Sequence, residues 1–505
     1  MMIMNIEQLK QLAKRRGFFW QSDEIYGGLS GFYVYGHLGL LLKHKWENAW
    51  RKYFLSLDEN FFEIETPDIM SEDVFKASGH VESFVDPICI CSRCKNVERA
   101  DQLLEDVLGE NFEGKSPEEL LKLIKKHNIK CPKCGGSLKE AGELNMMFPL
   151  TVGVGQLSKA YLRPETAQGA YVNFRQIFEI MRRKLPLGLA IIGKAFRNEI
   201  SPRQLLLRTR EFSQAELQIF FDPQTIDQHK RWNEIKNYML IISTAKSKKI
   251  VKMKADDVVK KCNLPKMYVY YMARVQEFYL NVLKIPENKF RFKELSEEEK
   301  AFYNKYHWDI ELKFNSTGKF SEIAGIHYRT SHDLERHEKA SGVKQTISID
   351  KKKFIPHVIE LSFGVDRNIF ALLDFSFRET RNQIIMSFPP ALSPIDVAVF
   401  PLVNRDRLPE KASEIYRHIN KTFVSFYDSS GSIGRRYARQ DEIGTPFCVT
   451  IDRQTLEDNT VTLRDRDTTV QIRINVDDIE KTINDIIDGK IMFRKAGKVV
   501  YEPKD

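Results

Sequence analysis

Apolar residues recur at helical spacing through LGLLLKHKWENAWRKYF, which places Leu38, Leu41, Leu42, Trp46, Ala49, Trp50 and Tyr53 on one face. The pattern then changes, and FFEIETP reads as a strand closed by Pro67. LGLAIIGKAF is an apolar strand running straight into Arg197, and REFSQAE reads as a second strand after a basic loop holding Arg208 and Arg210. ELSFGVDR, residues 360–367, predicts a strand that turns into a helix. GKSPEELLKLIKKHN carries a helix start, with Ser116 as cap, Pro117 in the first turn and Glu118 and Glu119 behind it. The opening MMIMNIEQLKQLAKRRG predicts a short helix with no signal-peptide core.

Residues 223–315 are richer in helix formers and interrupt this strand-bearing region. SFPPALSP, at 387–394, reads as a linker, because prolines stop both periodicities. Beyond it DVAVFPL is a strand, LPEKASEIYRHINKTF a helix, FCVTID, VTLRDRDT and VQIRINV strands, and INDIIDG most of a closing helix. That alternation predicts a parallel-rich α/β domain.

At 505 residues the chain exceeds what one hydrophobic core serves, so two to four domains are expected. No apolar run approaches the roughly 18 residues that span a bilayer, and a soluble, cytoplasmic protein without membrane contact is the expectation. The net charge is +9. Residues 223–315 hold 19 Lys+Arg against 12 Asp+Glu, an excess of 7, whereas 394–505 hold 18 against 19. A positive segment suits phosphate backbone, and a solvated lysine-rich face would look the same. The cysteines cluster: Cys91/Cys94 and Cys131/Cys134 form two CxxC knuckles, the spacing of a tetrahedral structural Zn²⁺ ribbon. Cys89 could replace Cys91 as a ligand, and a redox pair or a metal-free ribbon would use similar spacing.

RNEISPRQLLLRTREFSQAE (197–216) and ELSFGVDR (360–367) resemble motifs 2 and 3 of class II aminoacyl-tRNA synthetases. Their wording is closest to the homodimeric glycyl type of archaea and eukaryotes. EIYGGLSGFYVYGHLG, NVERADQLL, YLRPETAQGAYVNF and EIAGIHYRTSHDLERH match that family too, with Val34 and His37 departing from its usual acidic residue and proline. The helix from Leu38 and its following strand have the form of motif 1, which implies a homodimer. GRRYARQDEIGTPF resembles the anticodon-binding domain shared by the glycyl, histidyl, prolyl and threonyl enzymes.

The resemblance implies an α+β class II catalytic domain, an antiparallel sheet flanked by helices, over 1–222 and 316–390. It carries a zinc-ribbon-like insertion at 85–145 and a basic insertion at 223–315, placed to contact the tRNA acceptor end. An α/β anticodon-binding domain follows at 394–505. The implied reaction is ATP-dependent activation of glycine and its transfer to tRNA(Gly).

By the same resemblance Arg197, Glu199 and Arg367 are catalytic. ATP would meet Arg197, Asn198, Glu199, Leu207, Arg208, Phe212, Glu322, Ile323, Gly364, Val365, Asp366 and Arg367, with Phe212 and Arg367 on the two faces of the adenine. Glu322 is the candidate for Mg²⁺. Glycine would meet Arg99, Glu165, Phe212, Ser213, Gln214, Ala215, Glu216, Glu360, Leu361, Ser362, Phe363 and Gly364. A substrate without a side chain is held by its ammonium and carboxylate, which suits the pocket glutamates. An internal ion pair to a nearby arginine is the alternative for each of them. Leu361 stands where the family has proline. A class IIa enzyme for threonine or proline, and a non-catalytic descendant, are the rivals. The glycine-type wording opposes the first, and the retained Arg197 and Arg367 oppose the second.

Overall fold

The computed structural model describes residues 5–503 apart from 111, 113, 156, 203, 298, 301–303, 381 and 382. Met1 to Met4 of the opening stretch lie outside the described residues. The expected short helix runs from Ile6 to Arg16, capped by Asn5.

The N-terminal part is built from helix α1 (His37–Phe54), strand β1 (Phe61–Glu63), helix α2 (Ala167–Ile180) and strands β2 (Leu187–Phe196) and β3 (Glu211–Phe221). There follow β4 (Met239–Ser243), β5 (Ile250–Lys254), β6 (Phe290–Glu294), β7 (Tyr306–Lys313), β8 (Phe320–Thr330), β9 (His357–Gly364) and helix α3 (Val365–Ser376). The nine strands form one sheet in the order β5-β4-β6-β7-β8-β9-β3-β2-β1. All neighbours are antiparallel except β1 with β2 and β4 with β6.

Side chains alternate across this sheet with the strand period of two. On one face Trp50 and Phe54 of α1 pack against the Phe363 ring of β9, with centroids 5.9 and 4.9 Å apart. On the other face Leu189, Ile191 and Phe220 meet Ala170, Tyr171, Phe174 and Phe178 of α2. The second face also carries the polar residues of the site.

Residues 223–315, expected as a basic insertion, are not set apart from this sheet. Four of their strands, β4 to β7, extend it from β8 outward. Leu240, Ile242, Phe292 and Ile310 belong to the same apolar core as α1. Counting helix formers overlooked these strands because their alternate residues are apolar only on the buried side. Seven of the sixteen lysines lie on the outer β4–β5 hairpin and the helix Ala255–Lys261.

The zinc-ribbon-like region forms a three-stranded sheet from Val85–Cys91, Val97–Arg99 and Leu138–Asn145. Helices Ala100–Leu108 and Pro117–Lys126 pack on it. Ser116 caps the second helix as expected: its Oγ accepts from the Glu119 amide at 3.3 Å while the Glu119 carboxylate accepts from the Ser116 amide at 3.0 Å.

The C-terminal part comprises β10 (Val397–Pro401), α4 (Leu408–Ile419), β11 (Ser425–Tyr427), α5 (Ile433–Ile443), β12 (Phe447–Ile451), β13 (Thr460–Asp465), β14 (Gln471–Asn475), α6 (Ile479–Ile487) and β15 (Lys498–Tyr501). Its six strands run β11-β10-β12-β13-β14-β15. The sheet is mixed rather than parallel-rich: β10 pairs parallel with β11 and β12, while the remaining three pairings are antiparallel.

The proline-rich stretch between the two parts is packed. Phe388 is fully buried, its ring 6.0 Å from Phe18. Its carbonyl accepts from the Arg466 guanidinium at 2.7 Å. Gly444 sits at φ +90°, where a Cβ would come within 2.4 Å of the Phe388 ring. Arg15 and Arg16 pair with Glu442, and Lys45 with Asp396 at 2.7 Å, across the same seam.

Candidate functional site

The polar face of β7, β8, β9 and β3 opens into a cavity of about 690 Å³ lined by Glu165, Arg197, Phe212, Glu216, Glu322, Glu360, Ser362 and Arg367 among others. Strand register assembles it. Glu216 stands opposite Ser362, Gln218 opposite Glu360, and Glu360 opposite His327.

At the end that holds Arg197 and Arg367, the Arg197 guanidinium lies 5.3 Å from the centroids of both Phe84 and Phe212, and its Nε donates to the Pro164 carbonyl at 3.1 Å. Among the described residues no carboxylate lies within ion-pair distance of it, which leaves its fork available to an anion. Glu199 accepts from Arg208 Nε at 2.8 Å, and Arg208 also reaches Gln102 of the zinc-ribbon-like region. Arg367 pairs with the Glu322 carboxylate at 3.0 Å and donates to the Leu207 carbonyl at 3.1 Å. Burial would raise the Glu322 carboxyl, but the charge and hydrogen bond of Arg367, with the charges of His307 and Arg197, together hold it below its usual range. Phe212 faces Arg197 here, so the two expected faces of an adenine slot, Phe212 and Arg367, do border one cavity. The Asn198 amide donates to the Met146 carbonyl at 2.7 Å, and the buried Asp366 bonds Tyr35. Ile323 and Val365 are buried core residues, so only their backbone is available to a ligand.

At the other end three carboxylates converge on one arginine that sequence reasoning did not single out. Arg329 is buried and holds Asp333 through two bonds, of 2.9 and 3.1 Å. It also donates to Glu360 at 3.0 Å and lies 3.5 Å from Glu165. Glu360 further accepts from Gln218 at 2.7 Å and from His327. Burial alone would raise its pKa, but Arg329 and then His327 draw the Glu360 carboxyl down to about 2. Glu165 is likewise held well below the usual range, burial being outweighed by Arg329 and His80. For these two glutamates the internal ion pair, foreseen as the alternative, is what the structure contains.

Glu216 differs. Its carboxyl accepts from the hydroxyls of Thr166 at 2.6 Å and Ser362 at 2.7 Å, and no cation lies within ion-pair distance among the described residues. Burial, and then the charges of Glu360 and Glu165, push its pKa up to about 8. The cavity thus ends on a buried carboxyl with no cation beside it among the described residues.

Several expected glycine contacts are redirected. Ala215, Leu361 and Phe363 point to the opposite face of the sheet and lie in the α1 core, because they alternate with Gln214, Glu216, Glu360, Ser362 and Gly364. Arg99 is engaged by Asp101 at 2.8 Å and Asp86 at 3.3 Å, toward Arg197 and Arg367. Ser213 accepts from Lys43 at 2.7 Å, and Gln214 from the Thr166 amide at 3.2 Å. Arg329 could have been found as a lone charge inside the apolar alternation of EIAGIHYR, four residues before Asp333.

The four cysteines converge as expected. The sulfurs of Cys91, Cys94, Cys131 and Cys134 all lie within 4.8 Å of one another, with Cys91 to Cys134 at 3.6 Å and Cys94 to Cys131 at 3.7 Å. A tetrahedron with Zn–S bonds of ~2.3 Å has edges of ~3.8 Å, so the quartet fits such an ion. The Cys94 amide aimed at its sulfur, against a smaller push from burial, draws the Cys91 thiol down to about 6. Cys89 lies outside the quartet; its thiol meets the Glu98 carbonyl at 3.7 Å, and burial raises it to about 12.

Comparison with known proteins places these features. Residues 155–375 match the profile of the "tRNA synthetase class II core domain (G, H, P, S and T)", and residues 396–486 match "Anticodon binding domain". The chain is 40% identical to the glycine–tRNA ligase of Thermococcus sibiricus over 97% of its own length and 100% of the relative's. It is 40% identical to the corresponding ligase of Pyrococcus furiosus (96% and 99%) and 36% to that of Methanococcus maripaludis (95% and 99%). Among solved structures, prolyl-tRNA synthetase of Cryptosporidium parvum, complexed with L-proline and AMP, superposes with a TM-score of 0.56 at 13% identity, over 96% of this chain and 76% of that one. This last likeness concerns the fold.

Proposed function

Since the chain belongs to the glycine–tRNA ligase family, we propose that it activates glycine with ATP and passes it to the 3′ end of tRNA(Gly). The glycine carboxylate attacks the α-phosphorus, the bond to pyrophosphate breaks, and glycyl-adenylate forms. A ribose hydroxyl of the tRNA terminus then attacks the adenylate carbonyl and releases AMP. Little covalent chemistry falls to the protein, which positions the reactants and neutralises charge. Arg197 suits the α-phosphate, and Arg367 the far phosphates and one adenine face. Glu322 at the mouth would hold Mg²⁺, which would shield the phosphate charge.

The observation that carries the glycine reading is Glu216. It is a buried pocket carboxyl with no cation within ion-pair distance among the described residues, held beside Ser362, and a substrate ammonium would complete it. ATP–pyrophosphate exchange against all twenty amino acids tests the reading. Exchange with glycine alone is expected. Comparable exchange with threonine, proline or serine would defeat it, and none with any amino acid would favour a non-catalytic role.

The cysteine quartet is proposed to hold a structural Zn²⁺, with all four positions filled by thiolates and none left open. Protein purified without chelator should carry about one zinc per chain by elemental analysis, as the four-ligand rule requires. A metal content near zero would leave a metal-free ribbon. No described helix is long and apolar enough to cross a membrane. A cytoplasmic homodimer joined through the motif 1 elements, α1 and β1, completes the proposal; a monomer in sedimentation would remove that last part.

A further inference from the structure

One feature of the cavity wall is not accounted for by ATP or glycine contacts. His327 of β8 lies between two strands, in register with His307 of β7 and Glu360 of β9. Its Nδ1 bonds one oxygen of Glu360, the oxygen that Arg329, Gln218 and Tyr171 leave alone. Its Nε2 lies 3.0 Å from His307 Nε2, which is itself 3.0 Å from an Asp309 oxygen. The Asn304 side-chain nitrogen lies 3.5 Å from His307 Nδ1.

An ionised Glu360 accepts only, so His327 Nδ1 carries the hydrogen between them. His307 Nε2 lies 3.0 Å from both His327 Nε2 and Asp309 Oδ1, so a hydrogen there is shared between two acceptors, while its Nδ1 faces the Asn304 side chain.

The backbone makes room for this ring. Gly325 lies two residues before His327 on the same face, and a Cβ there would come within 2.5 Å of His327 Nε2. Building on the glycine reading above, we propose that His327 is a positioning residue for glycine. Backed by His307, it holds the second oxygen of Glu360, so that the ion-paired carboxylate keeps one orientation in the pocket that Glu216 also lines, and Gly325 is the space its ring requires.

The test is the KM for glycine and for ATP in pyrophosphate exchange. His327→Ala is expected to raise the glycine KM roughly tenfold, as loss of one hydrogen bond to a charged group does, with the ATP KM unchanged. His327→Asn, whose amide nitrogen reaches where Nδ1 stood, should restore most of the loss. Gly325→Ala should raise the glycine KM on its own but add little to His327→Ala, because the two act through one ring. The inference is overturned by an unchanged glycine KM in His327→Ala, by equal rises in both KM values, by His327→Asn being as poor as His327→Ala, or by full additivity with Gly325→Ala. If His327→Ala does not fold, Gly325→Ala against His327→Asn decides alone. Wild-type exchange with glycine, measured alongside, separates failure of this inference from failure of the glycine reading.

Discussion

Replacing Arg197 by alanine is expected to lower kcat for glycine activation by about 10²–10³-fold, the effect of removing one preorganised donor from developing charge. The expectation rests on how the side chain is held. Two aromatic rings and the Pro164 carbonyl fix its position, while no carboxylate among the described residues competes for its fork. Arg208 and Arg367 differ, since each must leave or share a glutamate to meet phosphate. Arg197→Lys should recover little, because an ammonium cannot span two phosphate oxygens. Single-turnover adenylate formation gives the measurement. A loss confined to the ATP KM, with kcat intact, would show that Arg197 binds ATP without favouring the transition state.

Glu216→Gln is expected to weaken glycine use by one to two orders of magnitude at pH 7 and to leave folding intact. With a pKa near 8 the empty site holds Glu216 protonated at neutral pH, and glutamine copies that neutral form. What glutamine cannot do is ionise against an ammonium, an interaction whose loss in a buried pair costs ~2–5 kcal/mol. At pH 7 about 1.4 kcal/mol of this is offset in the wild type by removal of the proton, one pH unit below the pKa. The sign with pH follows: glycine binding expels that proton, so wild-type affinity should rise from pH 6 toward pH 8, while the variant stays flat. Glycine KM across that range checks both points. A constant ratio between wild type and variant would place the ammonium on another carboxylate.

Much of this site could be read along the chain. The cysteine quartet and the Ser116 cap depend on local order and spacing, the arginine and glutamate positions of the two motifs follow from the family resemblance, and the structure brings each group together. What escaped is what needs a partner from far away. Arg329 becomes a hub only because helix α2, the segment just before it and strand β9 deliver Tyr171, Glu165 and Glu360 to it. His327 acquires its role from strands on both sides. The misplacement of Ala215, Leu361 and Phe363 was avoidable, since strand alternation assigns them to the face opposite Glu216 and Glu360. In the C-terminal part, buried arginines serve the fold. Arg436 of GRRYARQDEIGTPF is bound to the Pro401 and Gly431 carbonyls, and of VTLRDRDT Arg464 is bound to Asp441 and Arg466 to the Gly444 and Phe388 carbonyls.

The packed proline-rich stretch bears on how the molecule comes apart. Met386, Phe388, Leu392 and Ile395 belong to the same contiguous apolar core as α1, and Ile443 of α5 joins them from the far side of the seam. A boundary drawn by sequence and function is therefore not a boundary of cooperativity. Melting the catalytic sheet strips the floor from beneath α5, and loosening α5 uncovers Phe388 and, through it, Phe18. The two domains hold their orientation and their stability in common.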